Sequence, residues 1–138
     1  MHRSLATLPS WALAALLAAT LLVSCRPPSD RVSGDAASNG ALVSVELLTR
    51  PARVGPASIE VTVRDGSAAV SGASVRVTGD MTHAGMVPVV AEASEVDDGV
   101  YRSDGFAFDM AGDWVITVDV TLPDGGRSQG TLAVSVGR

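Results

Sequence analysis

Residues 114–122 read WVITVDVTL. Trp114, Ile116, Val118, Val120 and Leu122 fall on one side of an extended chain, and Val115, Thr117, Asp119 and Thr121 fall on the other. A helix would scatter the large apolar residues round its axis, whereas a half-buried strand lines them up on one face. The same period of two recurs on both sides of this segment. Leu42, Val43, Val45 and Leu47 begin it. Ile59, Val61 and Val63 alternate with Glu60, Thr62 and Arg64, and Val75 and Val77 alternate with Arg76 and Thr78. Further strands are predicted in VVAEASEV at 89–96, VYRS at 100–103, FAF at 106–108 and TLAVSV at 131–136.

Turn residues punctuate these runs. Asp65-Gly66, Asp97-Asp98-Gly99 and Pro123-Asp124-Gly125-Gly126 supply residues that tolerate positive φ. Nothing after residue 40 carries an apolar period of 3.6. About seven or eight short strands in about 100 residues predict an all-β fold, an immunoglobulin-like antiparallel β-sandwich. A small closed barrel is the second choice. The cysteine pair of antibody domains is missing, so only the architecture carries over. Aromatic residues make up 4% of the chain, which makes Tyr101, Phe106, Phe108 and Trp114 the expected weight of the core.

The start of the chain has another character. WALAALLAATLLV at 11–23 is apolar and uncharged, follows Arg3 and gives way to SCRPPSD. It is too short to span a bilayer comfortably and has the layout of a secretory signal peptide. Leu22-Val23-Ser24-Cys25 resembles a bacterial lipobox, in which the cysteine is lipidated and becomes the first mature residue. Cys25 is the sole cysteine, so it has no intrachain disulfide partner. The expected plan is a lipoprotein signal peptide at 1–24, a lipid-anchored flexible tether at 25–40 and a β-sandwich domain at 41–138. The tether, rich in Pro, Ser, Gly, Asp and Ala, holds the domain off a membrane. Arg26 stands where, by analogy, an Asp retains such lipoproteins in the inner membrane. In a cell with two membranes this favours the outer one, with the domain facing the periplasm.

Beyond the signal segment fifteen acids face nine arginines, a net charge of −6, and there is no lysine. That balance excludes a nucleic-acid partner and argues against anionic lipid surfaces. Enzymatic chemistry finds little footing. His83 is the only histidine after the signal segment, and no Gly-x-Ser-x-Gly elbow, dinucleotide fingerprint or phosphate loop occurs. Asp97-Asp98 reads as part of a hairpin turn beside Gly99 rather than as an acid/base pair. The expectation is that the protein is not an enzyme.

One segment holds unusual chemistry. TGDMTHAGMVP at 78–88 gathers Met81, His83 and Met86, two of the three methionines of the mature chain and its only histidine. Thioether sulfur and imidazole suit Cu(I), because sulfur is soft and binds without losing a proton. In an exported compartment thiolates would oxidise, which is a physical reason to use methionine. Gly85 gives the loop room to bend, and Pro88 suits the start of an edge strand. Three donors leave the set incomplete, and Met110 or a partner protein would have to finish it. The competing reading is that the methionines fill gaps in the core and the histidine is merely exposed.

GDMTHAGMVPV at 79–89 and DDGVYRSDGFAFDMAGDWVITVDVTLPDG at 97–125 resemble the YtkA-like domain family, which is related to the FixH group. The resemblance covers about residues 41–136. It rests on the Met/His loop, on Gly99-x-Tyr101, and on Phe108-x-Met110-x-Gly112-x-Trp114. It implies a small exported sandwich domain associated with copper handling. Gly99, Tyr101, Phe108, Met110, Gly112 and Trp114 also have a structural reading, as residues that fix hairpins and fill the space between sheets. The FixH group carries a retained transmembrane helix that this sequence lacks. Two functions are therefore expected to compete. One is a copper-binding or copper-handling accessory protein that meets a copper-protein partner. The other is a non-metal interaction module of the cell envelope.

Overall fold

The structure, a computed structural model, describes residues 40–83 and 85–138. The expected signal peptide, Cys25 and the tether up to residue 39 lie outside the described residues. Eight strands follow in chain order: β1 (Leu42–Leu47), β2 (Gly55–Asp65), β3 (Ala68–Ala69), β4 (Ser74–Met81), β5 (Val89–Asp97), β6 (Val100–Phe108), β7 (Gly112–Thr121) and β8 (Arg127–Val136). All strand pairs are antiparallel, in the order β1-β2-β6-β5-β4-β7-β8, with the two-residue β3 appended to β2.

β5 is where the sheet folds over. Its first half, Val89–Ala93, pairs with β4, and its second half, from Ser94, pairs with β6. The layers β1-β2-β6 and β4-β7-β8 therefore face each other, joined through β5. With β5 counted beside β6 and the two-residue β3 set aside, the order is that of an immunoglobulin sandwich, four strands on one sheet and three on the other. The all-β immunoglobulin-like expectation holds, and the barrel alternative fails because β1 and β8 do not pair. An isolated parallel bridge, Arg53 to Gly137, and the packing of Val43 and Val45 on Gly130 tie that side together.

The core follows from the alternation. Val43, Val45 and Leu47 of β1, Ile59, Val61 and Val63 of β2, and Val75 and Val77 of β4 point inward. Trp114, Ile116, Val118 and Val120 of β7 and Leu132 of β8 lie in the layer of β4 and, with Val75 and Val77, face the β1 and β2 side chains. Each such side chain contributes about 1.5–3 kcal/mol by leaving water. Tyr101, Phe106 and Phe108 add the bulk. Phe106 and Phe108 meet edge-to-face at 5.2 Å, and Phe108 meets Trp114 in the same way at 5.3 Å. Small residues let the layers close. A side chain at Gly79 would begin 2.5 Å from Phe106 Cζ, and one at Gly130 would begin 2.8 Å from Val43 Cγ1.

Three expectations need correction. VYRS and FAF belong to one strand, β6. β2 and β6 shift register between Ala57 and Ile59, so Asp104 and Gly105 together oppose Ser58, and the strand absorbs them as a bulge. β8 begins at Arg127 and not at residue 131, because Ser128 and Gly130 take inward positions that larger apolar residues usually mark. Leu42 is 61% exposed, since the inward parity belongs to Val43. The strand after Pro88 is interior to the sheet order, yet its first half has a neighbour on one side only.

The registers sort the loops between two ends. Leu42 pairs with Arg64 and Ser74 with Thr121, so Gly40, the 66–73 segment, Asp98-Gly99 and the 122–126 turn share the end where the chain enters. Met81 pairs with Trp114, Gly55 with Phe108 and Gly112 with Val136. Loops 48–54, 82–88 and 109–111 and the end of β8 therefore share the far end. A ten-residue strand such as β7 separates the two by about 30 Å.

Candidate metal centre

Met81 is the last residue of β4 and continues the inward parity of Val75, Val77 and Gly79. It is half-buried and packs against the end of the core. Thr82 N–H donates to the Asp113 carbonyl at 3.1 Å, which extends the β4–β7 pairing by one step. The chain then leaves the sheet. His83 is exposed. Gly85 takes φ +94°, a left-handed conformation that glycine adopts without strain. Met86 is 39% exposed and Val87 84%. Ala84 lies outside the described residues.

Across the far end, Met110 sits in the short β6–β7 connection and is 48% exposed. Trp114, 2% exposed, donates its indole N–H to the Met110 carbonyl at 3.0 Å. Between them Gly112 has φ +142°, and a Cβ there would lie 2.7 Å from the Met81 terminal methyl. Met81 is thus brought against the 110–114 segment, while His83 and Met86 stand on the loop that leaves from Met81. Phe108 and Trp114 are core residues, and Met110 is not.

The donor chemistry is soft. Thioethers and a neutral imidazole fit Cu(I), whereas hard divalent ions ask for carboxylate and carbonyl oxygens. Among the described residues no three His, Cys, Asp or Glu side chains gather in a way that could hold a metal ion.

The entry end has different chemistry. The Tyr101 hydroxyl donates to the Val70 carbonyl at 2.7 Å and accepts from Ala73 N–H at 3.0 Å. Burial pushes its phenol above the ordinary tyrosine range. The Glu95 carboxylate accepts from Gly72 N–H at 3.0 Å and from Gly99 N–H at 3.3 Å. The Gly72 bond foremost, then the Ser71 hydroxyl, holds its carboxyl below the usual carboxylate range. Gly99 takes φ +67°, and a Cβ there would lie 2.8 Å from the Val63 carbonyl oxygen. Asp97 caps its own turn by accepting from Asp98 N–H at 2.8 Å. Sequence reasoning missed Glu95, whose partner Gly72 lies 23 residues away, and no local motif announces it. It also missed how Gly112 makes room for Met81, although the Met-x-Gly-x-Trp spacing was the signal available.

Among curated proteins none matches the chain by sequence. Several solved structures match it loosely, among them the following three. A superoxide reductase (neelaredoxin) from Ignicoccus hospitalis is 9% identical, with 67% of this chain and 79% of that one covered at a TM-score of 0.47. The soluble domain of PmoD from Methylocystis sp. is 10% identical, with 78% and 96% covered at 0.47. PcoC, a copper resistance protein from Escherichia coli, is 17% identical, with 62% and 88% covered at 0.37. At these scores they are loose likenesses that attach no function to this chain. The YtkA-like family model matches residues 35–119, more than half of the sequence, and the chain belongs to that family.

Proposed function

We propose that this protein is an exported, lipid-anchored β-sandwich that binds Cu(I), or passes it on, through Met81, His83 and Met86. The observation that carries the reading is the gathering of soft donors at one end of the sandwich, opposite the end where the chain enters. A tether lipidated at Cys25 would hold the entry end toward the membrane and present the donors outward, where a copper-protein partner can reach them. Neutral sulfur binds without releasing a proton, so only His83 must be deprotonated. The protein holds or hands over the ion and carries out no reaction of its own.

The test is a competition titration of the full chain against a Cu(I) chelator of known affinity. Copper should be retained at micromolar affinity or tighter, and the Met81→Ala/His83→Ala/Met86→Ala variant should lose it. No retention by the parent chain, or equal retention by the variant, would sink the reading.

A second reading has a specific observation behind it. Val54, Met86, Val87 and Met110 are exposed apolar residues at the same far end. Such a cluster suits an envelope protein that docks a partner without metal. A partner recovered from native membranes equally well with and without a Cu(I) chelator would favour this reading.

A further inference from the structure

The geometry points to Met110 as the fourth soft donor, with Gly112 and Trp114 as the positioning residues that set it beside Met81. This rests on the soft-metal reading above and extends it from one loop to two. Two contacts bind the end of β4 to the 110–114 segment, and a third holds that segment together. Thr82 N–H reaches the Asp113 carbonyl, the Met81 methyl fills the space over Gly112, and the Trp114 indole holds the Met110 carbonyl.

Each contact has a consequence for a thioether. Any side chain at Gly112 would meet the Met81 methyl at 2.7 Å and would also force a non-glycine residue to φ +142°. The missing side chain is therefore what lets Met81 lean toward the β6–β7 connection. Met110 is two residues from that glycine, at most about 7 Å of chain. A methionine has three rotatable bonds with which to cover that gap. Trp114 is locked in the core against Phe108, so its N–H fixes the Met110 backbone to the rigid part of the sandwich. The Met110 side chain stays 48% exposed, as a ligand to an arriving ion must be. The site then has two halves. Met81 and Met110 are held by contacts to the sandwich, and His83 and Met86 come from the 82–88 loop.

The test is methionine footprinting of the full chain with peroxide, with and without Ag(I) as a redox-inert stand-in for Cu(I). Peroxide transfers one oxygen to each thioether and leaves water, and a sulfur bound to silver reacts slowly. Peptide mass spectrometry then reads Met81, Met86 and Met110 separately. The expected result is that Ag(I) slows sulfoxide formation several-fold at all three. Protection of Met81 and Met86 with none at Met110 overturns the inference and leaves the loop reading standing. Protection at none of the three overturns both. Two variants sharpen the result. Met110→Leu should bind Ag(I) about tenfold more weakly, a change of about 1.4 kcal/mol, and unchanged affinity contradicts the proposal. Trp114→Phe keeps an aromatic ring but removes the N–H, so protection should fall at Met110 and persist at Met86. An equal fall at all three would mean that Trp114 acts only through the fold.

Discussion

The two ends of this sandwich are built from the same strands and carry opposite chemistry. At the entry end, polar groups are turned inward on the protein. Tyr101 bridges Val70 and Ala73, and Glu95 bridges Gly72 and Gly99, so both side chains are committed to holding loops. At the far end the 48–54 loop is tied by backbone bonds to Ser58 and Gly137, whereas the two connections that carry the methionines are held by the Trp114 indole and Thr82 N–H, and Met86 and Met110 are left exposed. An exposed thioether does little for stability, because its apolar surface stays in water. The proposed soft-metal site would give it a use.

The comparison can be broken by substitutions that affect one end and spare the other. The shared core sets the upper bound. Phe108→Ala removes the ring that touches both Phe106 and Trp114 and should cost about 3–5 kcal/mol in chemical denaturation. A loss under about 1 kcal/mol would mean that the aromatic cluster is not the keystone between layers. Tyr101→Phe comes next. It strands the Val70 carbonyl and the Ala73 N–H and should cost about 1–3 kcal/mol, with Cu(I) affinity unchanged. A matching loss of affinity would show that the two ends are coupled and not separate.

Glu95 gives a smaller, pH-dependent effect. Its folded carboxyl lies below its unfolded value, so its contribution is present above the unfolded pKa. That contribution disappears as pH falls through the folded value. Thermal melts across the acid range should show a shallower loss of stability in Glu95→Gln than in the parent chain. Identical slopes would remove Glu95 from the account of the entry end. The smallest expected stability effect is at the far end. Met86→Leu should move the unfolding free energy by no more than about 0.5 kcal/mol while weakening Cu(I) binding about tenfold. Lost stability with intact binding would reverse the assignment and make Met86 a packing residue.

How much of this could be read in the sequence depended on how local each cause was. The strand of 114–122 was legible because period-two burial is written in consecutive residues, and Gly99 was legible because a turn needs its glycine in place. β6 was not, because Asp104-Gly105 looks like a turn. Only the register shift opposite Ser58, about 45 residues away in sequence, turns it into a bulge, and the Ser58 hydroxyl donates to Asp104 there. The start of β8 was hidden for the same reason. Gly130 is small because Val43 and Val45 press on it from the other layer. At the candidate site the donor types were visible, since Met81, His83 and Met86 lie within six residues of each other. The part played by Gly112 was not, because its reason is the Met81 methyl 31 positions earlier.

The most direct measurement is the copper coordination shell itself, read by X-ray absorption on the Cu(I)-loaded full chain. The account predicts a first shell dominated by sulfur with a single imidazole nitrogen, and a sulfur contribution that falls when Met81 and Met86 are replaced by alanine. A shell of nitrogen and oxygen alone, or a sulfur signal unchanged by those substitutions, would contradict it.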